Sequence, residues 1–235
     1  MNLISINETL CFKVSDVKLC VSCKSDKIIK NGFTKNKKQQ YYCKDCHKRF
    51  IDFYSYKAYH KNMNANIVTL TKEGMGIRST ARILKISTTT LLKRIVSIAK
   101  SISQPAVPKG KTYEVDEMRT FLKRKNNLIW IVYALERESK KVVSFYVGAR
   151  TKKTLQVVLK TLQLSEAKHI FTDKLKHYKC LITKSVHKTQ RFSINHIERK
   201  NLTLRTHLKR LNRKTICFSK NLIVLSSILK LYFWS

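Results

Sequence analysis

The sequence predicts an α/β domain, one mixed sheet layered by helices, preceded by two small modules. Three observations carry this. Both prolines of the 235-residue chain fall in SISQPAVPKG, residues 101–110, which marks a linker. Before it, apolar residues recur at helical intervals; after it come short β-branched and aromatic runs. Four of the seven cysteines form two CxxC pairs between residues 20 and 46. With 43% hydrophobic residues, five Gly and two Pro, the chain is neither wholly disordered nor collagen-like.

The first module rests on its cysteines. Cys20-x2-Cys23 and Cys43-x2-Cys46, 19 residues apart, have the spacing of a four-thiolate zinc site. Each CxxC turn aims two sulfurs at one point, and Zn²⁺ takes four such ligands tetrahedrally. A redox CxxC usually comes singly in a βαβ setting, so one structural zinc is the better reading. Ile28-Ile29 and Gln40–Tyr42 are expected as short strands, with Asn31-Gly32 as a turn; His47 is an alternative ligand to Cys46. Cys11, Cys180 and Cys217 have no partner at metal spacing and are expected as buried small hydrophobes.

The second module is helical. Ile67 and Leu70, then Ile83, Leu84, Ile86, Leu91, Leu92 and Ile95, recur at three- and four-residue steps. A helix ending near Gly74, a short one over 79–84, a turn at Ile86-Ser87 and a helix over 88–100 read as a helix-turn-helix, with Ser87 as cap. Thr88, Thr89, Lys93 and Arg94 would then face DNA. A plain three-helix packing unit fits the same pattern, but charge favours DNA reading.

After the linker, residues 111–118, 127–135 and 141–147 read as an antiparallel meander, turned at Glu138–Lys140. Residues 151–164 have helical spacing, 169–173 read as a buried strand, 174–183 as a helix and 189–194 as a strand. A basic helix runs from Ile197 through Arg205, and residues 220–233 close the chain as a helix.

Charge limits the partners. Lys and Arg number 49 against 14 Asp and Glu, a formal charge of +35, so a polyanion is needed and nucleic acid is the obvious one. The apolar stretch Leu222–Trp234 is too short and too interrupted to span a bilayer, and MNLISINETLCFK lacks the pattern of an export signal. The expectation is a cytosolic, nucleoid-associated protein without a membrane partner.

In so basic a chain each acid needs a reason. From Lys140 onward, 22 Lys and Arg surround only Glu166, Asp173 and Glu198. Glu166, in the polar stretch LSEAK, suits a surface ion pair. Asp173 ends the apolar run HIFT, Glu198 opens the basic helix, and Asp116 lies inside the first strand beside Glu114 and Glu117. Glu114 and Asp116 share a face of that strand and Glu117 takes the other. Asp116, Asp173 and Glu198 can converge at one sheet edge, where hard carboxylate oxygens suit two Mg²⁺ or Mn²⁺ ions and phosphoryl transfer.

Three stretches carry a family likeness: YEVDEMRTFLKRKNNLIWIVYALER (113–137), FTD (171–173) followed by Tyr178, and HIERKNLTLRTHLKRLNRKTICFSK (196–220). The chain resembles transposases of the insertion sequence 1 family. The resemblance implies a ribonuclease-H-like catalytic domain at 111–235, behind a zinc ribbon with N-terminal extension at 1–58, a helix-turn-helix at 59–102 and a linker at 103–110. It implies Asp116, Asp173 and Glu198 as the catalytic, magnesium-holding triad. Arg199, Lys200, Arg205, Lys209 and Arg210 would grip DNA. Partners would be terminal inverted repeats and target DNA, bound by a homo-oligomer. Arg119 departs from the tryptophan expected there, and KLKHY departs after FTD. The runner-up readings are a tyrosine recombinase built on His207-x2-Arg210 with Tyr232 as nucleophile, and a DNA-binding regulator without catalysis.

Overall fold

The structure, a computed structural model, describes residues 18–51, 58, 60, 62–189 and 194–235. It divides into two compact units, Met1–Met63 and Asn64–Ser235.

In the first unit, β1 (Ile28–Phe33), β2 (Gln39–Cys43) and β3 (Arg49–Ile51) form an antiparallel sheet in that order. Its core is small: Cys20, Tyr41, Cys43 and Phe50 are buried, with Ile28 and Cys46 packed against them. Asn31-Gly32 is not the hairpin turn. The β1–β2 register shifts there, Gly32 takes a positive φ of 69°, and the chain reverses at Thr34–Lys38 instead. A positive-φ glycine serves a bulge as well as a turn, and the sequence alone cannot separate the two.

The second unit opens with α1 (Met63–Lys72), α2 (Ile77–Ile83) and α3 (Thr88–Ser101). Ser87 caps α3, its hydroxyl accepting from the Thr90 amide at 3.1 Å. Leu91, Ile95 and Ala99 form the buried stripe of α3. Gly74 makes the α1–α2 turn at φ 73°, and an added Cβ would lie 2.0 Å from the His207 carbonyl oxygen. No side chain fits there, so the turn lies directly on the end of a later helix.

The sheet follows: β4 (Thr112–Phe121), β5 (Leu128–Glu136), β6 (Val142–Gly148), β7 (His169–Phe171) and β8 (His187–Lys188), in spatial order β6-β5-β4-β7-β8. The first three pair antiparallel, while β7 lies parallel to β4 and β8 to β7. This meander with two parallel strands added is the mixed, ribonuclease-H-like sheet the resemblance implies. The last strand was expected at 189–194; β8 ends at Lys188, and residues 190–193 lie outside the described residues.

Helices cover both faces. On one, α4 (Lys152–Leu164) and α5 (Lys176–Leu181) bury Leu155, Val158, Leu159, Leu162 and Tyr178 against Tyr113, Val115, Val132 and Ala134. On the other lie α6 (Asn195–His207) and α7 (Leu222–Trp234). There Tyr133 stacks on Phe233, and the Trp234 indole donates to the Val142 carbonyl at 2.8 Å. Burying each such aromatic stabilises by about 2–3 kcal/mol, so this face is a true core. Among the described residues no helix is long and apolar enough to cross a membrane. Cys180 and Cys217 are exposed, against expectation, because each sits on the outward side of its segment; Cys11 lies outside the described residues.

Candidate active site and metal centre

The four cysteines of the first unit converge, their sulfurs all within 4.8 Å of one another. Two like-shaped knuckles do this: the Cys20 amide donates to the Ser25 carbonyl at 2.8 Å, and the Cys43 amide to the Lys48 carbonyl at 3.0 Å. Lys24 and His47, each four residues past the first cysteine of its pair, take positive φ. The thiols cannot all ionise alike without a cation. The Cys23 amide hydrogen bond lowers Cys20 to about 6. At Cys23 the Ser25 amide pulls downward, but burial and the three neighbouring thiols hold it up at about 12. His47 is turned to the Tyr42 hydroxyl, 2.7 Å away. A closed tetrahedral zinc site fits this donor set.

In the second unit, β4 presents alternate carboxylates to opposite faces. Glu114 is fully buried and caps α6: Oε2 accepts from the Ile197 amide at 2.9 Å, Oε1 from His196 Nδ1 at 2.8 Å, and Arg137 Nε lies 3.5 Å away. A carboxylate at a helix N-terminus is favourable, and this one fixes where α6 starts on the sheet. Replacing Glu114 by Ala strands these donors in the interior. It should cost about 3 kcal/mol by denaturant unfolding, with Gln restoring part; a change under about 0.5 kcal/mol would show that the cap is not needed.

Asp116 lies two residues on, facing the same helix. Its Oδ2 accepts from Asn201 Nδ2 at 2.6 Å. Burial pushes its carboxyl up to about 6; the Asp173 and Glu117 charges push the same way, against hydrogen bonds from the Glu117 backbone and Asn201. Asp173 stands just past β7, and its Oδ1 accepts from the Leu175 amide at 3.0 Å. Glu198 sits in the first turn of α6, exposed, its carboxylate without a hydrogen bond or ion pair among the described residues. The three carboxylates therefore occupy neighbouring elements but, unlike the cysteines, their oxygens are not gathered within 4.8 Å.

Glu117 takes the other face. Its Oε2 accepts from Arg150 at 2.9 and 3.1 Å, while Oε1 and the nearby Tyr178 hydroxyl are buried without hydrogen-bond partners among the described residues. Arg150 also stacks over Trp130. Burial first, then the Glu117 charge, raises the Tyr178 pKa, so its hydroxyl keeps its proton.

The expected DNA-facing residues divide. Thr88, Thr89, Lys93, Arg199 and Lys209 are exposed. Arg94 is half-buried and donates to Asn64 at 2.8 Å, and Lys200 lies over the Tyr232 ring. Arg205 is half-buried with a buried Nε that has no hydrogen-bond partner among the described residues, its pKa lowered first by burial and then by Arg213, with Asp116 opposing. Arg210 turns inward, Nη1 3.4 Å from Ser219 Oγ. His207 and Tyr232, from the recombinase reading, do meet at 2.7 Å. Yet burial raises the Tyr232 pKa, the opposite of an activated nucleophile, and Arg210 points elsewhere.

Sequence reasoning missed Asn201, Tyr133 and the Arg150–Glu117 pair. Only Asn201 left a trace: it follows Glu198 by three residues, one turn along the same helix face.

Comparison with known proteins agrees with this layout. Residues 111–233 match the IS1 transposase family. Insertion element iso-IS1n protein InsB of Shigella dysenteriae is 36% identical over 108 residues, 46% of this chain and 82% of that protein. Insertion element IS1 protein InsB of Shigella flexneri is 35% identical over the same shares. Among solved structures, a simian T-cell lymphotropic virus intasome bound to PP2A regulatory subunit B56 gamma aligns at 17% identity and TM-score 0.38, over 69% of this chain and 66% of that one. The HTLV-2 integrase catalytic core domain in complex with magnesium (trimeric form) aligns at 16% and 0.36, over 55% and 86%. These structural likenesses are loose, and the fold rests on the strand order itself.

Proposed function

The chain belongs to the IS1 transposase family, and on that premise we propose that it cuts DNA at the ends of its own element and joins them to target DNA. Asp116, Asp173 and Glu198 carry the reaction. The supporting observation is the half-buried Asp116 carboxylate, held on β4 beside the Asp173 charge and gripped by the helix that bears Glu198. An ionised carboxylate is costly in that position unless a cation joins it.

Hard oxygen donors at Asp116, Asp173 and Glu198 suit Mg²⁺ or Mn²⁺. Two such ions, when bound, would activate the attacking oxygen and neutralise charge on the leaving one. The residues of the chain do the rest. Glu114 and Asn201 keep α6 and its Glu198 against β4, Arg205 and Arg199 offer cations to DNA phosphates, and Glu117 with Arg150 stiffens the strand below. In cleavage a water oxygen bonds to phosphorus, the bond to the 3′ oxygen breaks, and that oxygen leaves as a hydroxyl after taking a proton. In joining, the same hydroxyl attacks a target phosphate and loses its proton. The bond from that phosphorus to the target's own 3′ oxygen breaks, and that oxygen leaves as a hydroxyl after taking a proton. No protein nucleophile is needed. The four cysteines hold one structural Zn²⁺, and residues 59–102, with Thr88, Thr89 and Lys93 outward, read the element's ends. A homo-oligomer holds the two ends together.

The test is purified protein with DNA carrying the inverted repeats that flank its reading frame. Nicks with 3′-hydroxyl ends should form when Mg²⁺ is added to the zinc-loaded chain and be absent when it is omitted; nicking that proceeds equally without added Mg²⁺ would refute the proposal. Binding should fall by about 10³-fold or more between 50 and 200 mM salt, as expected for six or more phosphate contacts. A binding constant flat across that range would remove the phosphate contacts from the account.

A further inference from the structure

Asn201 sits where the two elements of the site touch. Its amide nitrogen is 2.6 Å from Asp116 Oδ2, and its amide oxygen is 2.8 Å from the Tyr133 hydroxyl. That hydroxyl also lies 3.1 Å from the Ile197 carbonyl oxygen. Tyr133 is fully buried and stands directly across the β4–β5 ladder from Asp116. The chain thus runs Tyr133, Asn201, Asp116, with one end in the core and the other at the carboxylate.

The orientation of the amide is forced. An ionised carboxylate only accepts, so the Asn201 nitrogen must face Asp116 and its oxygen must face Tyr133. Tyr133 shares its one proton between that oxygen and the Ile197 carbonyl. Asn201 therefore has no second orientation that keeps both contacts.

We propose that Asn201 is a positioning residue for metal binding: it fixes the Asp116 carboxylate by one oxygen and leaves the other to a divalent cation. The inference rests on the reading of Asp116 as a metal ligand. A neutral donor suits this task. Lysine or arginine at 201 would hold the carboxylate but cancel its charge and compete with the cation, whereas the amide orients it without neutralising it. Because Asn201 is one turn past Glu198, the same bond ties the helix carrying Glu198 to the strand carrying Asp116.

The experiment is Mn²⁺ titration of the DNA-free, zinc-loaded full chain by calorimetry, with Asp116→Asn defining which heat belongs to this site. Asn201→Leu should weaken Mn²⁺ binding by about tenfold or more, as loss of an outer hydrogen-bond partner does at metal sites. Tyr133→Phe, which keeps the ring in the core, should weaken it in the same direction by a smaller factor. In cleavage assays the metal concentration for half-maximal rate should rise in both variants, while end-binding by the zinc-loaded chain without added Mg²⁺ or Mn²⁺ stays at the wild-type value. If Asp116→Asn removes the Mn²⁺ signal but Asn201→Leu and Tyr133→Phe bind as wild type, the positioning role is overturned and the active-site reading stands. If Asp116→Asn leaves the Mn²⁺ signal unchanged, the active-site reading fails and the inference with it. Should Asn201→Leu not fold, Tyr133→Phe decides alone.

Discussion

Asp116→Asn is expected to melt higher than the wild-type chain in the absence of divalent metal and to cleave no DNA. Burial holds this carboxyl up at about 6 in the folded chain, against about 3.9 when unfolded. Between those values the folded protein keeps a proton that the unfolded chain has released. Stability therefore falls as pH rises through this window and stays lower above it. At neutral pH the penalty is up to about 3 kcal/mol, and an uncharged amide of the same shape removes it. The amide also cannot hold a hard cation as a carboxylate does, and a lost metal contribution of several kcal/mol is about a thousandfold in rate or more. Added Mg²⁺ should then raise the melting point of the wild type and leave that of the variant unmoved. A variant that melts lower, or cleaves at the wild-type rate, would contradict this. Because the substituted protein is the more stable one, its inactivity cannot be blamed on unfolding.

The second large effect lies in the first unit. Its core consists of Cys20, Tyr41, Cys43 and Phe50 with two flanking side chains, too little apolar area to offset the ordering of some thirty residues. Zinc bound to four thiolates contributes about 10–16 kcal/mol in small metal-dependent folds. Cys43→Ser, or a strong chelator, should therefore unfold residues 18–51 and leave the sheet of the second unit intact. Atomic emission should find one zinc per chain in the wild type. Two-dimensional amide NMR should lose the dispersed signals of β1 to β3 on chelation and keep those of β4 and β5. Well under one zinc per chain, with those signals still dispersed, would show that the cysteines are not a metal site.

Much of this was legible in the sequence because period and spacing are local. The β-branched and aromatic runs along residues 111–135 placed β5 and the start of β4 within one residue, though β4 continues three residues further to Phe121. The period of two set Glu114 and Asp116 on one face. The CxxC spacing brought four sulfurs together. What stayed hidden depends on residues far apart in the chain. Asn201 meets Asp116 across 85 positions, and nothing in NLTLR says which way its amide points. The inward turn of Arg210 onto Ser219 was likewise hidden, since a basic run looks equally solvated at every position. Asn31-Gly32 misled for a different reason: its composition suits a turn, yet the positive φ serves a bulge inside β1.

The central claim is that a DNA hydroxyl attacks phosphorus directly, with the carboxylates of Asp116, Asp173 and Glu198 as the protein's contribution. The configuration at phosphorus reads this without reference to any variant. A target strand with a single chiral phosphorothioate at the joined linkage is offered to a cut element end, and the joined product is digested with stereospecific nucleases. One in-line displacement inverts the centre, and inversion is the result expected. Retention would mean two displacements through a covalent protein–DNA bond, and would contradict the account.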